Sequence, residues 1–404
     1  MSQPALPVIR LKPKSGVARA LRHGAPWVFA DEVVLDRRTR ALPPGSVARL
    51  QDGDRAPLAV VAVNPASRIA VRVLDRDPDA VIDRGWLRDR LMRAHALRAA
   101  LYPAPYHRLV HAEGDGLPGL VIDRFGDWAV IQPNAAWAER LLPDLVPALA
   151  EVTGVRHVLK NAAGRARAAE GLDDAGGVLI GQAPDAPVPV GMNGAIYMAD
   201  LVGGQKTGLF YDQRDNHAFA ARLLRGRPGV RVLDVFSHVG GFALAALAAG
   251  AGQALAVDGS GPALALAREG AARMGVADRF ETRRADAFDA LAALAAEGAR
   301  FDMVVCDPPA FAPNKAALDK GLRAYERLAR LAAGLVAGGG ILGLCSCSHA
   351  AGPERFRTAC SRGIGRAGRG DAAQLLHTGF AGPDHPQHPQ LPETGYLKAL
   401  FYRL

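Results

Sequence analysis

"LDVFSHVGGFALAALAAG" (residues 233–250) is the stretch on which the fold turns. An apolar run of strand length carries Asp234, a turn through Phe236 follows, and Gly240-Gly241 opens an Ala-rich helical stretch. Glycines at such a point let the backbone come close to a ligand at the helix N-terminus, where unpaired amides point outward. The pattern is neither a full G-x-G-x-x-G nor a phosphate loop, which would need Gly-Lys-Ser/Thr. Outward from it, "QALAV", "FDMVVC" and "GGILGLCSC" are further apolar runs, separated by helical stretches at 262–274 and 316–336. That alternation predicts an α/β, Rossmann-like, doubly wound parallel sheet spanning residues 189–404.

Two more acids fall at expected strand ends. Asp258 closes "ALAVDGS", where a carboxylate can accept both ribose hydroxyls of an adenosine cofactor. Asp286, in "RRADAF", could receive the adenine amino group. Each acid alone reads equally as a helix cap or a solvated loop residue. Three at successive strand ends line the crevice where open α/β sheets bind ligands. A dinucleotide dehydrogenase would satisfy these features too, but "VVCDPPAF" (304–311) points elsewhere. Its Asp307-Pro308-Pro309 turn holds the backbone rigid beside the cofactor crevice. With the glycine turn, it resembles class I S-adenosylmethionine-dependent methyltransferases. The resemblance implies S-adenosyl-L-methionine as cofactor, with its methionine part passing the Phe236–Gly241 turn near Asp234. Arg214, in "YDQRDN", could pair with its carboxylate, a surface arginine being the alternative.

Two kinds of methyl acceptor compete. An Asp-Pro-Pro turn followed by an aromatic resembles enzymes that methylate base nitrogens; here Ala310 separates Pro309 from Phe311, as in guanine-N7 enzymes. A pyrimidine C5 has no lone pair and must be activated by adding a nucleophile to C6, for which a cysteine thiolate is suited. Cys347, in "ILGLCSCSHA" (341–350), stands at the end of a strand run one strand beyond Asp307. Cys345 lies about 6–7 Å further in by strand rise and reads as core. Cys306 alternates away from Asp307, and Cys360 falls on a helix. C-x-C-x-H lacks a fourth metal ligand, so no metal site is expected.

The rest of the chain is organised differently. Residues 1–76 read as short strands of a β-rich, barrel-like unit, with "VARLQDGDRAPLAVVAVN" and "SRIAVRVL" among them. Residues 77–188 read as a central α+β domain: a helix at 86–101, a hairpin around Gly126-Asp127, and the strand "VRHVLK". A further hairpin, 188–201, turns on Asn193-Gly194. "SRGIGRAGRG" (361–370) and the Pro/His-rich 382–392 read as loops, the latter's histidines on the substrate side. Lys398 and Arg403, in the last strand run, are expected to face solvent or phosphate.

Length and composition set outer bounds. At 404 residues the chain has room for two to three domains. No apolar run reaches membrane-span length and no signal peptide is evident, so a cytoplasmic protein is expected. Four cysteines make no disulfide framework. A net charge of +9 suits a polyanionic partner, although an Arg-rich composition alone would produce it.

Nearly the whole chain resembles the bacterial 23S ribosomal RNA (cytosine-C5) methyltransferases of the RlmI type. The stretches that carry this are "LKPKSGVARALRHGAPWVFADEV" (11–33), "EGDGLPGLVIDRFGD" (113–127), "NGAIYMADLVGGQKTGLFYDQRDNH" (193–217), "CDPPAFAPNK", "SCSH" and "DHPQHPQLPETGYLKALFYR" (384–403). The resemblance implies an N-terminal PUA domain for RNA docking, with 23S rRNA or a large-subunit assembly intermediate as partner and no membrane. Cys347 matches the catalytic cysteine, and Asp307 would bond the cytosine N3 edge. Pro308-Pro309 departs from the Pro-Cys of the two-cysteine class, so no second cysteine is expected. A guanine-N7 enzyme and a non-catalytic RNA-binding assembly factor stay open as alternatives. So does the oligomeric state, a homodimer included.

Overall fold

The computed structural model describes residues 6–13, 16–204 and 208–404. Gln205, Lys206 and Thr207 of the "QKTGLFYDQRDN" motif, with Lys14 and Ser15, therefore lie outside the described residues. The chain divides into two compact units, Met1–Pro184 with Pro383–Thr394, and Asp185–Gly382 with Gly395–Leu404.

The first unit holds two five-stranded sheets. In one, Ser46–Gln51, Pro57–Val63 and Val71–Asp75 form an antiparallel meander flanked by Val8–Arg10 and Trp27–Val28. Its alternating apolar residues, among them Ile9, Val28, Leu50, Val61 and Val71, close into a separate core. The second sheet contains the hairpin Leu120–Phe125/Trp128–Pro133 and the strand His157–Lys160. Helices Arg84–Leu101 and Leu142–Thr153 cover it with Leu87, Leu91, Leu145 and Leu149.

The segment 383–394 also belongs to this unit, through polar contacts. Arg98, fully buried, forms a two-pronged ion pair with Asp115 and donates to the carbonyl of Asp384 at 2.8 Å. The Asp384 carboxylate accepts from the amide of Arg108 and pairs with the His385 ring at 2.8 Å. His385 lies in a loop, as expected, but is buried against the ring of His111 at 4.9 Å. Burial pushes the His111 ring down to about 2, which keeps it neutral.

The second unit begins with the hairpin Val188–Met192/Ala195–Ala199, whose Asn193 and Gly194 both have positive φ (53° and 78°), as its type I′ turn requires. Seven strands form its sheet: β1 (Arg231–Val235), β2 (Gln253–Asp258), β3 (Phe280–Arg284), β4 (Phe301–Cys306), β5 (Val336–Ser346), β6 (Gln374–Gly379) and β7 (Lys398–Arg403). Helices α1 (Arg214–Arg222), α2 (Gly241–Ala248), α3 (Gly261–Arg273), α4 (Ala287–Ala296), α5 (Leu318–Leu335) and α6 (Pro353–Arg366) connect or precede them. The spatial order is β3-β2-β1-β4-β5-β7-β6. β1 to β5 run parallel, while β7 is antiparallel to both neighbours, a departure from the all-parallel expectation. The order reverses beside β1, which is where such sheets open a ligand crevice.

The "SRGIGRAGRG" expectation is also corrected. Ser361 to Arg366 continue α6 instead of forming a loop. Gly363 faces α5, where an added Cβ would come within 2.7 Å of the Ala329 methyl. Its glycine serves close helix packing, not a turn. Among the described residues no helix is long and apolar enough to cross a membrane.

Candidate active site

The carboxyl ends of β1 and β4 open on a cleft lined by Asp234, Phe236, Gly241, Asp307 and also by Tyr197, Gln213 and His217. Asp234 organises its floor. One carboxylate oxygen accepts from Ser237 Oγ (2.7 Å) and from the amides of Phe242 (3.1 Å) and Ala243 (2.9 Å). Those amides belong to the first turn of α2, which would otherwise leave them unpaired. The other oxygen, Oδ1, is buried without a hydrogen-bond partner among the described residues. Burial pushes the Asp234 carboxyl up to about 6, against the pull of those donors.

The turn from β1 to α2 is built under strain. Phe236 and His238 hold positive φ of 61° and 51°, conformations that side chains with a Cβ seldom adopt. The amide of His238 donates to Asp258 at 2.9 Å, and the amide of Ser260 donates to the other Asp258 oxygen at 2.7 Å. Gly240 takes φ 87° at the helix cap. An added Cβ on Gly241 would meet the His217 ring at 2.8 Å. That ring stands edge-on to Phe242 at 4.4 Å, and burial lowers it to about 3, so it is neutral.

The expected residues divide by position. Asp234, Phe236, Gly241 and Asp307 meet in the cleft. Asp258 ends β2 as expected, with both oxygens braced by backbone amides, each oxygen keeping a second lone pair. Asp286 is exposed and caps α4, one oxygen accepting from Phe288 and Asp289. Its second oxygen remains for a further donor. Arg214 is buried one layer behind the cleft, its guanidinium over the Tyr211 ring at 5.5 Å and its Nε at 3.3 Å from the sulfur of Met192, which does line the cleft.

Cys347 follows the last residue of β5. The β4–β5 register pairs Cys306 with Leu344, which sets Asp307 level with Cys345 and Cys347 two residues further out. Cys345, Cys306 and Cys360 are buried, and burial pushes each of their thiols upward; Cys347 is only half-buried.

The sequence reading passed over the residues that hold this cysteine. The flanking Ser346 and Ser348 turn toward α5, where the Tyr325 hydroxyl meets both serine hydroxyls at 2.8 Å. Ser348 Oγ also accepts from the amide of Ala312 at 2.9 Å, joining the Asp-Pro-Pro loop to the cysteine turn. Lys398 does not face solvent or phosphate. It is 3% exposed and donates to the carbonyls of Ser348 (2.7 Å) and Tyr396 (2.8 Å). Alternation along "KALFYR" was the available signal, since it sets Lys398 on the same face as the core residues Leu400 and Tyr402.

Comparison with known proteins bears on the fold and the family. Residues 140–403 match the family model of S-adenosylmethionine-dependent methyltransferases, and residues 9–76 that of a PUA-like domain. A solved Streptococcus mutans chain assigned to the same methyltransferases superposes with a TM-score of 0.80 at 17% identity, covering 99% of this chain and 100% of that one. A second, crystallised with S-adenosylhomocysteine, gives 0.80 at 18%, with the same coverage. At such identity these two carry the fold alone. The protein is an S-adenosylmethionine-dependent methyltransferase.

Relatives narrow the class. Ribosomal RNA large subunit methyltransferase I of Shewanella denitrificans is 35% identical over 98% of this chain and 99% of its own length. The Cronobacter sakazakii protein of that name is 34% identical, over 96% and 98%. The chain belongs to the ribosomal RNA large subunit methyltransferase I family.

Proposed function

We propose that this protein forms 5-methylcytosine in 23S ribosomal RNA, free or within a large-subunit assembly intermediate in the cytoplasm, through a covalent bond from Cys347 to C6 of the target base. The observation that carries the reading is the half-buried thiol of Cys347, standing two residues beyond the level of Asp307 at the carboxyl edge of the sheet. The other three cysteines are buried. The names of the relatives and the PUA-like match at residues 9–76 support RNA as the substrate, as does the net charge of +9.

The cleft fits S-adenosylmethionine in one respect: the unpartnered oxygen of Asp234 suits a cationic ligand. Gly241 has no side chain because the His217 ring fills that place and lines the cleft. Asp234, Phe236, Gly240 and Gly241 would hold the methionine part, with Arg214 toward its carboxylate. Asp258 would take the ribose hydroxyls and Asp286 the adenine amino group. When bound, the cofactor supplies an electrophilic methyl group on a sulfonium.

The chain's own residues do the rest. The target cytosine leaves its stack to reach the cleft. Cys347, as thiolate, adds to C6 and loads electron density onto C5, which otherwise has no pair to offer. Asp307, as the carboxylic acid, donates a hydrogen bond to N3 and stabilises the negative charge that builds there as sulfur adds. After C5 has been methylated, a base, water or a side chain, takes the C5 proton, the C5–H pair restores the C5–C6 double bond, and the C6–sulfur bond breaks to release the thiolate.

The test is RNA bearing 5-fluorocytosine, which cannot release the C5 substituent and so traps the adduct. Wild-type protein should form it. Cys347→Ala should lose it while calorimetry shows cofactor binding retained. An adduct that persists in Cys347→Ala and vanishes in Cys345→Ala would overturn the assignment.

A further inference from the structure

Lys398 opens β7 directly opposite Ser346 of β5, so the register delivers an ammonium to the turn that carries Cys347. Its ammonium donates to two carbonyls, Ser348 O and Tyr396 O. Lys160 pairs with Glu139 at 2.8 Å, but among the described residues no carboxylate pairs with Lys398. A buried ammonium without a counter-charge is costly. The ionisable group that does act on it is the thiol of Cys347: burial lowers the lysine to about 8, and a negative sulfur draws it back up.

We propose that Lys398 is a positioning residue for Cys347: it ties the carbonyl of Ser348, one residue after the thiol, to that of Tyr396 just before β7, and its positive charge stabilises the thiolate. The inference rests on the reading of Cys347 as the nucleophile. On ionisation the S–H proton passes to solvent, and Lys398 keeps its own three. Other side chains of the described residues stand near this turn. Tyr325 reaches it from α5 as a hydroxyl that burial keeps neutral. The Tyr396 hydroxyl donates to Asp212 at 2.6 Å, and the His349 ring leans on Tyr396 at 5.6 Å. Asp307 raises the thiol of Cys345, its neighbour in register.

The experiment follows alkylation of Cys347 by iodoacetamide across pH in the full-length protein, read peptide by peptide. In Lys398→Met the midpoint should rise by about one unit, cutting the thiolate fraction near neutral pH about tenfold. Lys398→Arg, which keeps the charge, should stay near wild type. Both should bind S-adenosylmethionine as wild type does. A midpoint unmoved in a folded Lys398→Met overturns the proposal.

Should that variant fail to fold, reductively methylated wild type and Cys347→Ser decide the matter by NMR titration of Lys398. Loss of the thiolate must lower the lysine's midpoint, and equal midpoints overturn the coupling. Neither readout uses turnover. Failure here leaves the nucleophile standing, whereas an adduct retained in Cys347→Ala removes the nucleophile itself.

Discussion

Tyr325 of α5 and Ser348 of the cysteine turn share a 2.8 Å hydrogen bond, with Ser346 completing a buried three-hydroxyl cluster. The cysteine turn is therefore pinned to a helix from behind, while the thiol between the two serines is half-exposed. Ala312 joins the same cluster through its amide, which ties the Asp307 loop to the Cys347 turn.

Tyr325→Phe leaves both serine hydroxyls short of a partner in a dry site. The expected cost is about 1–3 kcal/mol of stability. Methyl transfer should slow with little change in KM for RNA, because the turn is loosened without any substrate contact being removed. Urea unfolding and transfer of a labelled methyl group check the two parts. An unchanged kcat would contradict the pinning role.

Gly241→Ala should weaken S-adenosylmethionine binding about tenfold and destabilise the fold by about 1–3 kcal/mol, an overpacking cost. The new methyl would meet the His217 ring at 2.8 Å, and that ring is buried between Phe242 and the cleft. Calorimetric titration measures the first effect and denaturant unfolding the second. Wild-type affinity in the variant would show that the cofactor does not approach this turn.

The Asp234 carboxyl, raised to about 6 from the ordinary 3.8, ties stability to pH. Its folded state holds the proton more tightly than the unfolded chain. Its contribution is therefore fully present below pH about 4 and is lost as pH rises through about 6. Asp234→Asn removes this dependence. Relative to wild type, the variant should gain about 1–3 kcal/mol between pH 4 and pH 7, by unfolding in matched buffers. A difference that is flat or opposite in sign would show the carboxyl is not raised.

Arg98→Met should cost about 3–5 kcal/mol, because it strands the buried Asp115 carboxylate that the guanidinium holds at 2.6 Å and 2.8 Å. It also removes the donor to the Asp384 carbonyl, so limited proteolysis should cut first within residues 383–394. A loss under about 1 kcal/mol with no new cleavage would show that this ion pair does not anchor the segment.

Much of the architecture was legible because its causes are local. Apolar runs of strand length, the helical stretches between them and the Asn193-Gly194 turn are set by side-chain period and by φ preference, and both are written along the chain. The glycine turn after Asp234 was readable for the same reason, as was the exposure of Cys347 at a strand end. "SRGIGRAGRG" misled because glycine serves two purposes. Which one applied at Gly363 depended on α5 lying against it, a neighbour more than thirty residues away in sequence.

By itself, then, the sequence determined the strands, most of the helices, the glycine turn after Asp234 and a cysteine at a strand end. Only the tertiary structure decided what surrounds that sulfur and which unit claims residues 383–394. Lys398 under the turn, Tyr325 behind it and Arg98 holding Asp384 are pairings across 50, 23 and 286 residues. No periodicity records a partner at such range. A buried charge or hydroxyl takes the donors and acceptors that the packed chain brings to it, because leaving it unpaired costs more than any local preference supplies.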